Sequence, residues 1–198
     1  MRSYTISRKT FPVAWDTVPA LDIDIPLWGT ETDVKAQAQV CYDDAALYVR
    51  MTAVEKNIRA EENGLLGEPS DDSCLEFFFS PDPTDARYFN VECNPNCCIY
   101  LGFGSDRYNL VRFIPEQPSV HPVTSRTEDG WELYYSIPYT FIRQFFPNFA
   151  PVSGGTMQAN FFKCGDLAPK RHYLCWNKVG SIKPDFHLRQ YYGNLIFE

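Results

Sequence analysis

Two neighbouring segments of alternating polarity constrain the fold of this chain most. Segment 36–42, AQAQVCY, alternates polar and small or apolar residues, and segment 47–53, LYVRMTA, does the same. Alternation with a period of two is typical of a β-strand that is buried on one side. Asp43 and Asp44 supply turn-forming residues between the segments. The sequence therefore predicts an antiparallel hairpin.

Short segments of the same kind recur along the chain between Gly, Pro, Asn and Asp residues. The clearest are 74–79, 88–94, 131–137, 156–163 and 192–197. Pro138, at a first helical position, makes 138–146 the good helix candidate. About ten short strands and one short helix predict an all-β fold, an antiparallel β-sandwich of jelly-roll type. The 198 residues fit a single domain, 1–198.

Charge and hydropathy argue against two classes of partner. The formal net charge is −7 and Lys and Arg form no run, so a nucleic acid is a poor partner. No stretch is long and apolar enough to span a membrane, and we expect no membrane partner. The first residues lack the apolar region of a signal peptide, which predicts a cytoplasmic protein, or a secreted one if a signal peptide was trimmed.

The seven cysteines do not suggest a disulfide framework. Their number is odd, and no Cys-x-x-Cys pair occurs. Free thiols in a reducing compartment are therefore expected. A zinc site built from Cys164, His172 and Cys175 is conceivable, although this spacing matches no standard pattern of zinc ligands.

Segment 88–94 predicts a polar and aromatic face on one side of the sheet. Its apolar residues alternate with four side chains that form hydrogen bonds or stack: Tyr88, Asn90, Glu92 and Asn94. Glu76 of segment 74–79 would lie on the same side. We select Glu92 and Asn94 as candidate ligand-binding residues. The alternative is an internal polar network that ties the strands to a covering loop.

A second candidate region runs from residue 158 to residue 176. It gathers amide, ammonium, carboxylate, imidazole and indole groups near a strand end, in the candidate ligand-binding residues Asn160, Lys163, Asp166, His172 and Trp176. Strict alternation would point Lys163 inward, so a bulge or a strand end is assumed there. Arg87 would add a donor. Trp28, in a Pro-Leu-Trp-Gly loop, is either exposed to a ligand or a plug over the sandwich end.

Several motifs occur in order along the chain: DSCLEFFF at 72–79, RYFNVECN at 87–94, NFFKCGD at 160–166, His172 with Trp176, and Phe186 with His187. Together they resemble the bacterial carbohydrate-binding domain family that is related to the family-nine modules appended to xylanases. The likeness covers most of the chain. It implies a β-sandwich that binds sugars and performs no chemistry itself.

The resemblance also implies how a sugar would be held. In the xylanase modules, two tryptophans clamp a sugar, polar side chains bind its hydroxyls, and calcium ions brace loops. Trp176 is the better match for one wall of such a clamp, and Trp28 is the candidate for the other. The chain departs from the family pattern at Cys97, where the family usually has glycine, and at Arg189, where it often has proline.

Calcium is a possible cofactor, and no residue is assigned as a metal ligand. Asp71 and Asp72, beside a strand start, offer carboxylate oxygens of the kind that calcium binds. No regular Asp-x-Asp-x loop occurs. The alternative is a turn cap in which an aspartate accepts hydrogen bonds from backbone N–H groups.

The sequence thus predicts non-covalent binding of a mono- or oligosaccharide, with Trp176→Ala abolishing binding without unfolding the protein. Two alternatives stay open. The first is a protein of the same fold that has lost sugar binding and serves as a protein-interaction module. The second is a glycoside hydrolase that uses Glu76 and Glu92, because such enzymes need two carboxylates at a defined separation.

Overall fold

The structure is a computed structural model that describes residues 1–114 and 120–198. In these residues the chain forms fourteen strands. They are β1 (Ser3–Arg8), β2 (Leu21–Ile23), β3 (Ile25–Pro26), β4 (Lys35–Tyr42), β5 (Ala46–Val54), β6 (Cys74–Ser80), β7 (Tyr88–Cys93), β8 (Ile99–Gly104), β9 (Leu110–Phe113), β10 (Val123–Arg126), β11 (Gly130–Pro138), β12 (Thr156–Gly165), β13 (His172–Cys175) and β14 (Gly193–Phe197). The α-helix, α1, is Tyr139–Ile142.

The strands form one mixed sheet with two halves. The first half has the order β10-β11-β5-β4, with β2 paired to β4. The second has the order β14-β12-β6-β7-β8-β9, with β13 between β12 and β3. β1 joins the halves, because residues 3–6 pair with β14 and residues 7–8 pair with β4, both in parallel. The predicted nearly all-β fold with one short helix is confirmed, but the expectation of a purely antiparallel sheet is wrong.

The main hydrophobic core lies between the two halves and combines their inward-facing residues. Val49 and Leu133 come from the first half, Phe77 and Phe161 come from the second, and all four are fully buried. The rings of Phe77 and Phe161 stack with their centroids 4.6 Å apart. Full burial of one such side chain contributes about 1.5–3 kcal/mol. Packing between the halves therefore fixes the strands that carry the site.

The predicted hairpin is confirmed, since β4 and β5 pair in an antiparallel register. The helix is shorter than predicted. After Ile142 the chain continues in tighter turns, in which the N–H of Gln144 bonds to the carbonyl of Phe141. β2 and β3 lie directly before the Trp28 loop and were not among the strands that the sequence predicts. Among the described residues, no helix has the length and apolar character that crossing a membrane requires.

A second apolar cluster covers the other side of β6, β7, β12 and β13. We call the side of these strands that faces the main core the inner side, and the opposite side the outer side. Phe78, Tyr88 and Phe162 lie on the outer side. Phe186, from the segment after β13, stacks on Phe162 with ring centroids 4.0 Å apart. β6 and β7 are consequently buried on both sides.

Candidate functional site

A small cleft opens on the outer side, and we call it the outer cleft. Its volume is about 100 Å³. Glu76 and Glu92 form its floor. The residues around them are aromatic or polar and comprise Trp28, Tyr173, Phe186, Asp166, Asp185, His187, Arg107, Ser70, Pro184 and Cys164. The cleft thus lies where loops before β4 and after β13 meet the polar part of the sheet.

Two glutamates on neighbouring strands form the floor of the outer cleft. Glu76 on β6 and Glu92 on β7 are directly opposite in the antiparallel register, and only 2% and 8% of their surfaces are exposed. Asn90 Nδ2 donates a hydrogen bond of 2.7 Å to Glu92 Oε1. The Cys164 thiol donates one of 2.9 Å to Glu76 Oε1. Within the described residues, neither carboxylate forms an ion pair.

Burial without a cationic partner weakens both acids. Burial, helped by Cys164 and Glu92, raises the pKa of Glu76 well above its usual value. Burial also raises the pKa of Glu92 to about 7, against the hydrogen bond from Asn90. Burial therefore favours the protonated form of Glu76, and Glu92 is near its midpoint at neutral pH. A protonated carboxyl group both donates and accepts hydrogen bonds, so this floor can pair with hydroxyl groups in either sense.

Three aromatic side chains form the walls of the outer cleft. The Trp28 ring meets Tyr173 edge-on, with centroids 5.1 Å apart, and its centroid lies 5.4 Å from that of Phe186. The Trp28 indole N–H donates a hydrogen bond of 3.0 Å to the Ser181 carbonyl. Aromatic pairs at these distances attract one another. The walls are therefore held in place by protein contacts.

Trp28 lies in a tight turn with unusual backbone geometry. The Thr30 N–H donates a hydrogen bond of 3.1 Å to the Leu27 carbonyl, and the two residues between them, Trp28 and Gly29, have φ angles of +50° and +71°. Two successive left-handed residues are typical of a type I′ turn. A non-glycine residue in this region costs about 1–3 kcal/mol and persists only where its surroundings hold it. The ring contacts of Trp28 and its bond to Ser181 supply that support.

Polar groups surround the aromatic walls. His187 Nδ1 and the Tyr88 hydroxyl share a hydrogen bond of 2.8 Å. Burial lowers the pKa of His187 to about 4, so its imidazole is neutral at pH 7. Burial and the neighbouring Asp166 carboxylate raise the pKa of Tyr173, so its hydroxyl stays protonated. Neutral donors and acceptors beside aromatic rings suit a small ligand that is rich in hydroxyl groups.

Comparison with known proteins now places the chain. The sequence profile of carbohydrate-binding family 9 matches residues 13–197. The chain belongs to carbohydrate-binding family 9. The resemblance expected from the sequence motifs is thereby confirmed. A search of curated proteins gave no match for this family 9 chain.

Solved structures share the family 9 fold of this chain. A protein from Bacteroides uniformis, described as a candidate carbohydrate-binding protein, is 25% identical with a TM-score of 0.84, and the match covers 100% of this chain and 99% of that one. A family 9 module from Caldicellulosiruptor kristjanssonii was solved with cellotriose and with glucose. Both structures are 15% identical with a TM-score of 0.71, covering 100% of this chain and 94% and 96% of theirs.

The structure brings three of the predicted site residues together. Trp28, Glu92 and Asp166 all line the outer cleft. Trp28 and Asp166 lie far apart in sequence, one before β4 and one after β12. Glu92 lies on β7, and Asp166 directly follows β12. Both strands pair with β6, so the two residues come close together. The loop residue Trp28 then closes over them through Tyr173.

Trp176 does not line the outer cleft, so it cannot form one wall of a clamp. It is 3% exposed and meets Phe161 of the main core edge-on, with ring centroids 5.8 Å apart. A Cβ atom placed on Gly193 would lie 2.5 Å from Trp176 Cζ3, so the backbone packs directly on the indole. Alternation along β13 directs position 176 inward with Leu174. The two-tryptophan clamp expected from the resemblance is therefore wrong for this pair.

Lys163 and His172 lie on the inner side, away from the outer cleft. β12 keeps an unbroken register with β6 through Cys164. The bulge assumed at Lys163 is therefore wrong, and the side chain points inward with 0% exposure. Lys163 Nζ lies 3.1 Å from Glu55 Oε2 and donates a hydrogen bond of 2.8 Å to His172 Nε2. Burial and Lys163 lower the pKa of His172, which favours its neutral imidazole.

The two predicted asparagines use their amide groups inside the protein. Asn160 Nδ2 donates a hydrogen bond of 2.8 Å to the Asn177 carbonyl, and Asn160 Oδ1 accepts one of 2.9 Å from the Asn177 N–H. Asn94 Nδ2 donates one of 2.7 Å to Asp72 Oδ2, and Asn94 Oδ1 accepts one of 2.9 Å from the Cys98 N–H. Both asparagines are 0% exposed. They hold loops to strands, as the alternative of an internal polar network describes.

Asp72, which was considered for calcium, has donors on both carboxylate oxygens. Oδ1 accepts a hydrogen bond from Arg59. Oδ2 accepts hydrogen bonds of 2.9 and 2.8 Å from the N–H groups of Glu61 and Glu62. This arrangement resembles the turn cap rather than a cation site. Calcium stays a prediction.

Arg87 lies at a different cavity, of about 350 Å³. Its Nη2 is 2.6 Å from Asp85 Oδ2, and its guanidinium group lies over the Phe146 ring, 5.5 Å from the centroid. The pairing with Asp85 is bidentate, because Arg87 Nε donates a hydrogen bond to Oδ1 and Nη2 donates one to Oδ2. The structure does not bring Arg87 to the outer cleft.

Sequence reasoning missed two of the three aromatic walls. Tyr173 alternates with the inward His172, which could have placed it on the outer side. Phe186 and His187 appear among the motifs that carry the family resemblance, but a loop of irregular structure gives no period that would orient them. The His187 ring bonds to the Tyr88 hydroxyl on β7.

Proposed function

We propose that this chain binds a mono- or oligosaccharide non-covalently in the outer cleft. The observation that carries the proposal is the pair of buried carboxyl groups, Glu76 and Glu92, beside the aromatic ring of Trp28. Carboxyl groups bind sugar hydroxyls, and aromatic rings stack on the C–H faces of a sugar. Membership of carbohydrate-binding family 9 supports the same class of ligand.

The size of the outer cleft limits how much of a glycan it holds. Its volume of about 100 Å³ is well below the roughly 300–1,000 Å³ of a typical small-molecule pocket. The cleft therefore engages no more than one sugar unit, and further units lie outside it. The complexes of the Caldicellulosiruptor kristjanssonii module with glucose and with cellotriose are compatible with this reading of size. A monosaccharide and its oligomer should bind with similar affinity.

The arrangement of the carboxyl groups favours binding over hydrolysis. A glycoside hydrolase needs two carboxylates on either side of the scissile bond. Glu76 and Glu92 are instead cross-strand neighbours on one floor, so both carboxyl groups lie on the same side of the cleft. A sugar would lie on both glutamates rather than between them. Release of free sugar from cellotriose or xylobiose by the purified protein would contradict a non-catalytic role.

One observation favours the alternative of a protein-interaction module. The outer side between Tyr88 and Phe162 is covered by the segment that carries Phe186, so only part of the predicted polar face is open. Glu76 and Glu92 still line the cleft. A folded protein that binds no sugar would favour the interaction module.

The experiment is isothermal titration with glucose, xylose, cellobiose and xylobiose. The wild type is compared with Trp28→Ala and with the matched control Trp15→Ala, whose indole packs on Tyr134 in the other half of the sheet. We expect one sugar class to bind the wild type and Trp15→Ala, and to bind Trp28→Ala at least about tenfold more weakly, a loss of about 1.4 kcal/mol. Equal affinity in all three proteins would remove Trp28 from the site. Repeating the titration after EDTA treatment tests whether calcium contributes.

A further inference from the structure

Two thiols and a carboxyl group converge beneath the outer cleft. The ligand atoms of Cys74, Glu76 and Cys164 all lie within 4.8 Å of one another. Cys74 and Glu76 are two positions apart on β6, so they face the same side, and Cys164 is the direct partner of Cys74 on β12. All three side chains are buried, with at most 2% of each residue exposed. The geometry points to a site for a thiol-binding divalent cation of the Zn²⁺ class, held by Cys74, Cys164 and Glu76.

The spacing of the three ligands fits the dimensions of a zinc site. Zn²⁺ binds cysteine sulfur at about 2.3 Å and carboxylate oxygen at about 2.0–2.2 Å in a tetrahedral arrangement, which places two sulfur ligands about 3.8 Å apart. Ligand atoms that already lie within 4.8 Å need to move by about 1 Å at most. Strand pairing between β6 and β12 holds the two thiols at this spacing. Thiolates select Zn²⁺ and Cd²⁺ over the oxygen-seeking Ca²⁺ and Mg²⁺.

The local charge also calls for a cation. Among the described residues, no Lys, Arg or His forms an ion pair with Glu76 or Glu92. Metal binding requires deprotonated thiols, so a divalent cation that binds the two cysteines would release protons to solvent.

The cleft supplies a route for the ion and a free coordination position. Glu76 and Cys164 line the cleft, whereas Cys74 lies behind them. Three protein ligands leave the fourth tetrahedral position open, as in sites that bind water or a ligand. The residues differ from the set considered from sequence, because His172 lies on the inner side and bonds to Lys163 there.

The test uses the reduced, EDTA-treated protein and metal alone, without sugar. Titration with Cd²⁺ reports thiolate ligands through their ultraviolet charge-transfer band, and titration calorimetry measures Zn²⁺. We expect one ion per chain with at least one proton released per ion at pH 7. Cys164→Ser and Glu76→Gln should each weaken binding at least about tenfold, a minimum set by the losses that even outer-shell changes cause.

Two matched controls isolate the site. Cys175→Ser removes a buried thiol of the same apolar cluster that is not one of the three proposed ligands. Cys97→Ser removes the exposed thiol. Both should bind the metal as the wild type does. The inference is overturned if folded wild type binds no stoichiometric Cd²⁺ or Zn²⁺, if binding releases no proton, or if Cys97→Ser abolishes it. The wild-type stoichiometry and proton release decide the matter even if Cys164→Ser does not fold.

Discussion

Two consecutive residues of β12 carry buried titratable groups to opposite sides of the sheet and meet opposite surroundings. On the inner side, Lys163 contacts Glu55 and His172 and has its charge balanced. On the outer side, Cys164 contacts Glu76, which faces Glu92, and no cation pairs with that group in the described residues. The inner group is held by an ion pair and a hydrogen bond, whereas the outer group lines the floor of the outer cleft.

The contrast distinguishes buried polar groups that stabilise the fold from buried polar groups that can bind a ligand. A buried charge is tolerated when a partner and hydrogen bonds satisfy it, and it is costly when they do not. Lys163 is satisfied inside the protein and needs no ligand. Glu76 and Glu92 keep unfavourable burial that a bound ligand or ion could relieve, which is a common mark of functional sites. Polarity and burial alone do not distinguish the two sides, but the presence of a counter-charge does.

The largest expected loss of stability comes from Trp176, which packs in the main core on the inner side. Trp176→Ala should lower the free energy of unfolding by about 3–5 kcal/mol, because it opens a cavity in the main core. Urea unfolding followed by circular dichroism measures this loss. The expectation drawn from the sequence was lost sugar binding with an intact fold. A stable Trp176→Ala variant without sugar binding would restore that expectation and contradict the inner placement.

Breaking the inner network should cost slightly less. Lys163→Met leaves Glu55 buried without its partner, and we expect a loss of about 3–4 kcal/mol in the free energy of unfolding. The double variant Lys163→Met with Glu55→Gln removes both charges and should recover part of the loss. Sugar affinity should stay unchanged wherever the variants are folded. If the double variant is as unstable as Lys163→Met alone, Lys163 does not stabilise the protein through its ion pair with Glu55.

On the outer side, Glu92 should make the free energy of unfolding depend on pH. Glu92 has a pKa of about 7 in the folded protein and 4.5 as its usual value. Between these values the folded protein holds a proton that the unfolded chain has released, so the free energy of unfolding falls as pH rises. The fall assigned to Glu92 is about 2–3 kcal/mol by pH 7, and it should disappear in Glu92→Gln.

The Glu92 effect must be measured as a difference between wild type and Glu92→Gln. His187 has a pKa lowered from 6.5 to about 4, and this favours folding increasingly as pH rises through an overlapping range. The two effects partly cancel in the wild type but not in the difference. Urea unfolding of both proteins between pH 4.5 and pH 7 gives the two slopes. Parallel slopes would mean that the Glu92 carboxyl is not destabilised by burial.

The smallest effect on stability is expected for Glu76→Gln. The change keeps the shape of a buried acid that forms no ion pair within residues 1–114 and 120–198, so the free energy of unfolding should change by less than about 1 kcal/mol. Sugar affinity should nevertheless fall about tenfold or more, as measured by titration calorimetry. A large loss of stability with unchanged sugar affinity would mean that Glu76 stabilises the fold, as Lys163 and Glu55 do, and does not bind the sugar.

The nearly all-β fold and the sidedness of individual strands were predictable from the sequence. Alternation placed Leu75, Phe77 and Phe79 inward and Glu76 outward, and the structure agrees. β1 escaped prediction because only Tyr4 and Ile6 of its six residues are buried. Its parallel pairing with two distant strands is a long-range property that no local pattern encodes.

The site was harder to predict than the fold. Trp176 and Lys163 continue the alternation of their strands, so following the period strictly would have placed both inward. Preference for polar and aromatic residues as ligand contacts overrode that signal. Phe186 and Trp28 lie outside regular strands, where orientation depends on packing between loops that are more than one hundred and fifty residues apart. Sequence reveals the residue types of such loops but not their meeting point.

The hydrogen bond between Trp28 and Ser181 has a further consequence. It ties the loop before β4 to the segment after β13, and contacts with Tyr173 and Phe186 hold the ring in the same place. Immobilising one mobile side chain on association costs about 0.5–1.5 kcal/mol. In this protein that ordering is completed during folding. A ligand therefore meets a rigid aromatic surface, and binding should show a small entropic penalty from the protein.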